Sequence, residues 1–208
     1  MRRAFLIILF CFAVLTSPAT AKLPYNLYSI KPLYNGDQAI CTTWSLNKEK
    51  GLWVTAAHCV QFEAEMDGEW IWIQFADLQI AEKPVTIVRL DLMNDLALLS
   101  ADVHVKALEF GKYPQVGDFV TVYGFPAGWK TPLVTWLHVS QPFLVLGGRY
   151  WMLLDGHVWP GHSGSPVLDK KGHVIAVVQA HGLDRFSGMT FTSAWVSLSA
   201  FITNALPQ

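Results

Sequence analysis

Between residues 39 and 195 the chain is made almost entirely of short apolar runs of strand length, set apart by turn residues. Eleven such runs stand at 39–46, 52–56, 69–75, 85–90, 96–100, 119–124, 133–139, 143–146, 151–154, 174–179 and 189–195, most of them rich in Val, Ile, Thr, Trp or Phe. Asn35-Gly36-Asp37, Asp67-Gly68, Pro126-Ala127-Gly128, Gly147-Gly148 and Lys171-Gly172 separate many of them at short intervals, a pattern that favours an all-β sandwich or a pair of barrels. Helical periodicity is confined to 197–205, where Leu198, Phe201, Ile202 and Ala205 fall at helical spacing behind Ser197 as a candidate cap. No internal repeat is visible, and a more polar passage at 105–117 divides two strand-rich halves, about 22–110 and 111–208.

Charge limits the partners. Lys and Arg number 15 against 16 Asp and Glu, so there is no electrostatic excess with which to hold a nucleic-acid backbone or an anionic bilayer. The nine Trp, twelve Phe and six Tyr supply an aromatic core able to fold without metal.

The first residues read as an address. Met1-Arg2-Arg3 places two positive charges ahead of an apolar run from Ala4 to Leu15, which is too short for a membrane span of ~20 residues. Thr16-Ser17-Pro18 breaks the run, and Ala19-Thr20-Ala21 offers a small-x-small cleavage pattern before Lys22, so residues 1–21 form a signal peptide. The expectation is a secreted or periplasmic monomer comprising 22–208, with no membrane association after cleavage. Removal of Cys11 with the signal leaves Cys41 and Cys59, and an even count in an exported protein points to one disulfide, two free buried thiols being the alternative.

Three short segments carry chemistry. Thr55-Ala56-Ala57-His58-Cys59 follows a strand-like run; Asn94-Asp95-Leu96-Ala97-Leu98-Leu99 sets a carboxylate before another; Gly161-His162-Ser163-Gly164-Ser165-Pro166-Val167 holds a serine between glycines. A serine hydroxyl near neutral pH needs a neutral imidazole to take its proton, and the imidazole needs an acceptor that fixes its tautomer. Together the segments resemble the chymotrypsin/trypsin-like serine peptidase family, in the form seen in its bacterial glutamyl-endopeptidase-like and viral branches, over about 41–195.

That resemblance implies two antiparallel six-stranded β-barrels with a short C-terminal helix and hydrolysis of peptide bonds in proteins or peptides. It implies Ser163 as nucleophile, His58 as general base and then acid, Asp95 as the orienting carboxylate, and the N–H groups of Gly161 and Ser163 as the oxyanion hole. Asp91 is the rival carboxylate; Asp95 is preferred because it directly precedes Leu-Ala-Leu. The substrate pocket is expected from His157, Val158, Val178, Gln179, Ala180 and His181. Neither His157 nor Val158 supplies a carboxylate against Lys or Arg, and Val178 stands where glutamate-specific relatives carry histidine, which leaves a neutral or apolar preference. His162 departs from the family's usual Asp or Asn and cannot pair with a newly cut amino terminus, so activation by such a cut is not expected. Gln179 stands where a Ser commonly supports the triad carboxylate.

No cofactor is expected. His157, His162 and His181 approach one cleft, but no His-Glu-x-x-His or Cys-x-x-Cys accompanies them, so no metal site is assigned. An α/β-hydrolase is disfavoured because Ser165 occupies the fifth position of the Gly-x-Ser-x-Gly pattern and the later histidines, His173 and His181, lie too close to Ser163 for that topology. The remaining alternative is a catalytically inert peptidase-like domain that binds a partner without cutting it.

Overall fold

The computed structural model describes residues 27–35, 38–61, 71–75, 80–126, 129 and 131–206. The signal segment with Cys11, and the turns expected at Asp67-Gly68 and Ala127-Gly128, lie outside these residues. In the first half, β1 (Ile30–Asn35), β2 (Gln38–Asn47), β3 (Leu52–Thr55), β4 (Ile71–Phe75), β5 (Ile80–Pro84), β6 (Thr86–Asp91) and β7 (Leu96–Ser100) form one antiparallel sheet in the order β5-β4-β1-β2-β3-β7-β6. The second half closes into a six-stranded barrel, β10-β13-β12-β11-β8-β9, from β8 (Phe119–Gly124), β9 (Leu133–Leu146), β10 (Arg149–Asp155), β11 (Pro166–Leu168), β12 (Val174–His181) and β13 (Met189–Ser193). Helix α1 (Trp195–Ala205) follows.

This is the all-β, two-half architecture with a C-terminal helix that the strand runs and the resemblance imply. The first half reaches its closure differently. Its edge strands β5 and β6 are consecutive in sequence, with only Val85 between them. Neighbouring Cα atoms lie ~3.8 Å apart, so the edges cannot separate and the sheet must curl until they meet. Counted as one bent strand, β5 and β6 bring the number to six, with a seam beside Pro84, which has no N–H to donate.

The continuous apolar runs have a common physical origin: their strands are buried on both faces. In β3, Leu52 and Val54 face a core between the halves while Trp53 faces the core of the first half; in β7, Leu96 and Leu98 face the former and Ala97 and Leu99 the latter. In β12, Val174 and Val177 join the inter-half core, and Ile175, Ala176 and Val178 the second barrel. Each fully buried aliphatic side chain contributes roughly 1.5–3 kcal/mol. Helix α1 adds Leu198, Phe201 and Ile202 to the inter-half core. It starts two residues before the expected Ser197. Its N-cap, Ala194, makes no side-chain bond, and Ser197 is buried. Trp195 anchors that first turn instead, stacked on Phe110 and donating its indole N–H to the Gly111 carbonyl at 3.0 Å.

Two expected strands prove to be one. β9 runs unbroken through Pro142, which lies between the runs 133–139 and 143–146. Beyond Val139, β9 pairs with β10 alone, and the register slips between Trp151 and Leu153, so a residue without an N–H is accommodated there. β1, β5 and β11 escape the sequence reading because Lys31-Pro32, Glu82-Lys83-Pro84 and a length of three residues hide them.

Cys41 and Cys59 are disulfide-bonded, with Cα atoms 6.2 Å apart. The bond ties β2 to the 3-10 turn Ala57–Cys59 after β3. Closing 18 residues of chain contributes about 3 kcal/mol in the chain-entropy model. Replacing both cysteines with serine is expected to lower unfolding stability by roughly that amount, read from urea unfolding with the m-value fitted for each form, since the freed unfolded chain is less compact.

Candidate active site

The end of β3 and the start of β7 lie at the same edge of the sheet because the strands are antiparallel, with Thr55 opposite Ala97. The turn after β3 presents His58 there, and the residue before β7 is Asp95. His58 Nδ1 lies 2.8 Å from Asp95 Oδ2, and the His58 backbone N–H donates to Oδ1 at 2.8 Å, so both carboxylate oxygens hold one residue. Asp95 is mostly buried, whereas His58 is 39% exposed and free to face the cleft. Asp91, the rival carboxylate, is turned elsewhere. It accepts the backbone N–H of Asn94 at 3.0 Å and its side-chain amide at 2.8 Å, closing the turn that leads to Asp95.

Ser163 comes from the second half, in the loop between β10 and β11. His58, Ser163 and Gly161 line one cleft of about 540 Å³, together with Val158, Trp159, Val178, Gln179, Ala180, His181 and Leu183. Five of the six expected pocket residues therefore stand on its wall. His157 stands beside it, exposed, with its ring 5.2 Å from that of His181 and 5.1 Å from that of Trp159. Asp155 pairs with His138 across β9 and β10 at 3.2 Å.

The serine loop is held by its backbone. Gly161 and Gly164 adopt φ of 97° and 83°, a region closed to most side chains. At Gly164 a Cβ would also overlap the Thr42 carbonyl and the Thr55 hydroxyl. Thr42, fully buried on β2, makes the decisive contacts: its N–H donates to the Ser163 carbonyl at 2.8 Å, its hydroxyl donates to the Gly161 carbonyl at 2.9 Å, and that hydroxyl accepts the Phe125 N–H at 3.0 Å. Sequence reasoning passed over Thr42 because nothing local marks it; only its place beside Cys41 could have drawn notice. It also passed over Trp159 and Leu183.

His162 points inward and is completely buried. Its Nδ1 contacts the Trp159 backbone, 3.3 Å from the N–H and 3.1 Å from the carbonyl, while its Nε2 has no partner. Burial holds the imidazole below its ordinary value of 6.5; the Trp159 carbonyl opposes the shift and nearby His157 adds to it. Gly124 leaves room for this packing, since a Cβ there would overlap Ser165 Oγ and the His162 ring.

Among the described residues, the one group of potential ligands close enough to share a metal ion is Cys41, His58 and Cys59. The disulfide leaves neither sulfur as a thiolate. No described helix is long and apolar enough to cross a membrane.

A family model described as the trypsin-like peptidase domain matches residues 41–177. No curated protein sequence matches the chain. Among solved structures, the chain resembles the active form of the Rv3671c protease from M. tuberculosis with a TM-score of 0.69 and 19% identity, over 83% of this chain and 78% of that one. The apo MamO protease domain from Magnetospirillum magneticum superposes with a TM-score of 0.67 and 20% identity, over 87% and 97% of the two chains.

Two outcomes are expected. Thr42→Val leaves the Gly161 carbonyl buried without its donor and should cost roughly 1–3 kcal/mol in denaturant unfolding. The unfolded chain binds a proton at His162 more readily than the folded one. Its stabilising contribution is therefore present above about pH 6.5 and is lost as pH falls from there through the depressed folded value. Tm measured across that range should fall less steeply for His162→Gln than for the native protein.

Proposed function

Because the chain belongs to the trypsin-like peptidase family, we propose that it is an exported serine endopeptidase that cleaves peptide bonds through an acyl-enzyme on Ser163, residues 1–21 being removed on export to the periplasm or the medium. The observation that carries this reading is the paired contact of Asp95 with His58 at the edge of the cleft that Ser163 also lines.

In this reaction His58 takes the proton of the Ser163 hydroxyl as its oxygen attacks the scissile carbonyl. Asp95 fixes the imidazole with its Nδ1 proton toward the carboxylate and stabilises the cation that forms. The negative charge developing on the carbonyl oxygen is met by the N–H groups of Gly161 and Ser163, an arrangement worth several kcal/mol in the transition state. Thr42 supports it by holding the Gly161 and Ser163 carbonyls on the side away from the cleft. His58 then returns its proton to the leaving amine, and water, activated by the same imidazole, hydrolyses the ester. The described cleft wall offers Val158, Val178 and Leu183 and no carboxylate, which favours neutral or apolar side chains over Lys and Arg. No metal ion and no cut at the mature amino terminus enters the sequence of steps.

A fluorophosphonate probe should label the native protein at Ser163 and leave Ser163→Ala unlabelled. Asp95→Asn should retain the fold and lose several orders of magnitude in turnover, because the amide favours the wrong tautomer of His58. Asp91→Asn should lose far less. Absence of labelling in folded native protein would overturn the proposal in favour of a domain that binds without cutting.

A further inference from the structure

Gln179 makes an unusual bridge across the cleft. It is 5% exposed, and its side-chain amide donates to two backbone carbonyls of the other half, that of Asn94 and, at 3.1 Å, that of Asp95. Two independent features of the chain converge on this bridge. In the pairing of β12 with β13, Val178 stands opposite Thr192 and Ala180 opposite Phe191, so two steps on β12 match one on β13 and Gln179 is the extra residue of a bulge. Such a bulge re-aims a side chain that regular pairing would direct elsewhere. On the receiving side, Asp95 has φ of 51°, one of only two non-glycine residues in the left-handed region among the described residues. A conformation of that kind persists where surrounding contacts hold it.

We infer that Gln179 is a positioning residue: its amide, aimed by the β12 bulge, clamps the backbone of Asn94 and Asp95 in the left-handed turn that delivers both carboxylate oxygens to His58. The carboxylate of Asp95 is then set by the second half of the molecule, although His58 and Asp95 both belong to the first. Docking of the halves and assembly of the base thus become one event. Gln179 acts here through Asp95 and not through the substrate, even though it borders the cleft.

The inference rests on the serine-peptidase reading above, and the rate of labelling by a fluorophosphonate probe separates the two. Gln179→Leu removes the donor, and Gln179→Glu keeps the shape while setting a carboxylate against two carbonyls. Both should slow labelling roughly 10- to 100-fold through the maximal inactivation rate and not through the half-saturating probe concentration, Gln179→Glu more severely. In each variant the proton NMR signal of the His58 Nδ1 hydrogen should shift or broaden. In an Asp95→Asn background, Gln179→Leu should cost nothing further, because the group it positions has lost its charge. Independent, additive losses would assign Gln179 to probe or substrate contact, and full labelling of folded Gln179→Glu would refute the bridge; either outcome overturns the inference alone. If the folded native protein does not label, the peptidase reading fails with it.

Discussion

Everything at the cleft depends on how two β units are joined, because Asp95 and His58 come from one and Ser163 from the other. Most of that junction is apolar: Trp44, Leu96, Leu98, Tyr123, Leu168 and Val177 meet α1 in a shared core. Apolar burial is strong but non-directional, so it brings the halves together without setting an angle between them. Direction comes from buried hydrogen bonds. Thr42 reaches from the first half to the carbonyls of Ser163 and Gly161, and Gln179 reaches from the second to those of Asn94 and Asp95. Each leaves a polar group without a partner if the halves shift, which makes a small displacement costly.

Strands buried on both faces explain the placement of the site. β3, β7 and β12 each lie between two cores, and their ends carry His58, Asp95 and the wall beginning at Val178. Burial on both faces fixes these strands in the packing, while His58 and Ser163 on the loops beside them border the cleft. The disulfide adds a covalent hold to the short 3-10 turn that carries His58.

The electrostatics of the two histidines at the serine loop and the base differ by environment. His58 is part exposed and faces a carboxylate. His162 is fully buried with one nitrogen unpartnered, and burial holds its imidazole below the ordinary value. Its ring packs against Gly124 and next to Trp159, so it serves the shape of the serine loop where an acidic residue would carry charge into the same space.

Much of this was legible along the chain. Alternation and turn residues announce strands because a strand's side-chain period is local, and the three short segments around His58, Asp95 and Ser163, which meet at the cleft, stand out because each side chain is flanked by the turn or strand that presents it. The disulfide followed from counting the cysteines that the expected signal cleavage would leave. What the sequence could not show are relations between distant residues. The runs 133–139 and 143–146 looked separate because the tolerance of Pro142 between them depends on which neighbour strand is missing. Ser197 looked like a cap because the anchoring of Trp195 on Phe110 lies 85 positions away. The closure of the first half through a single bent strand, the hold of Thr42 on the serine loop and the bridge from Gln179 to Asp95 exist only once the halves are packed, since hydrogen bonds of that range have no local pattern and are selected by the geometry they complete.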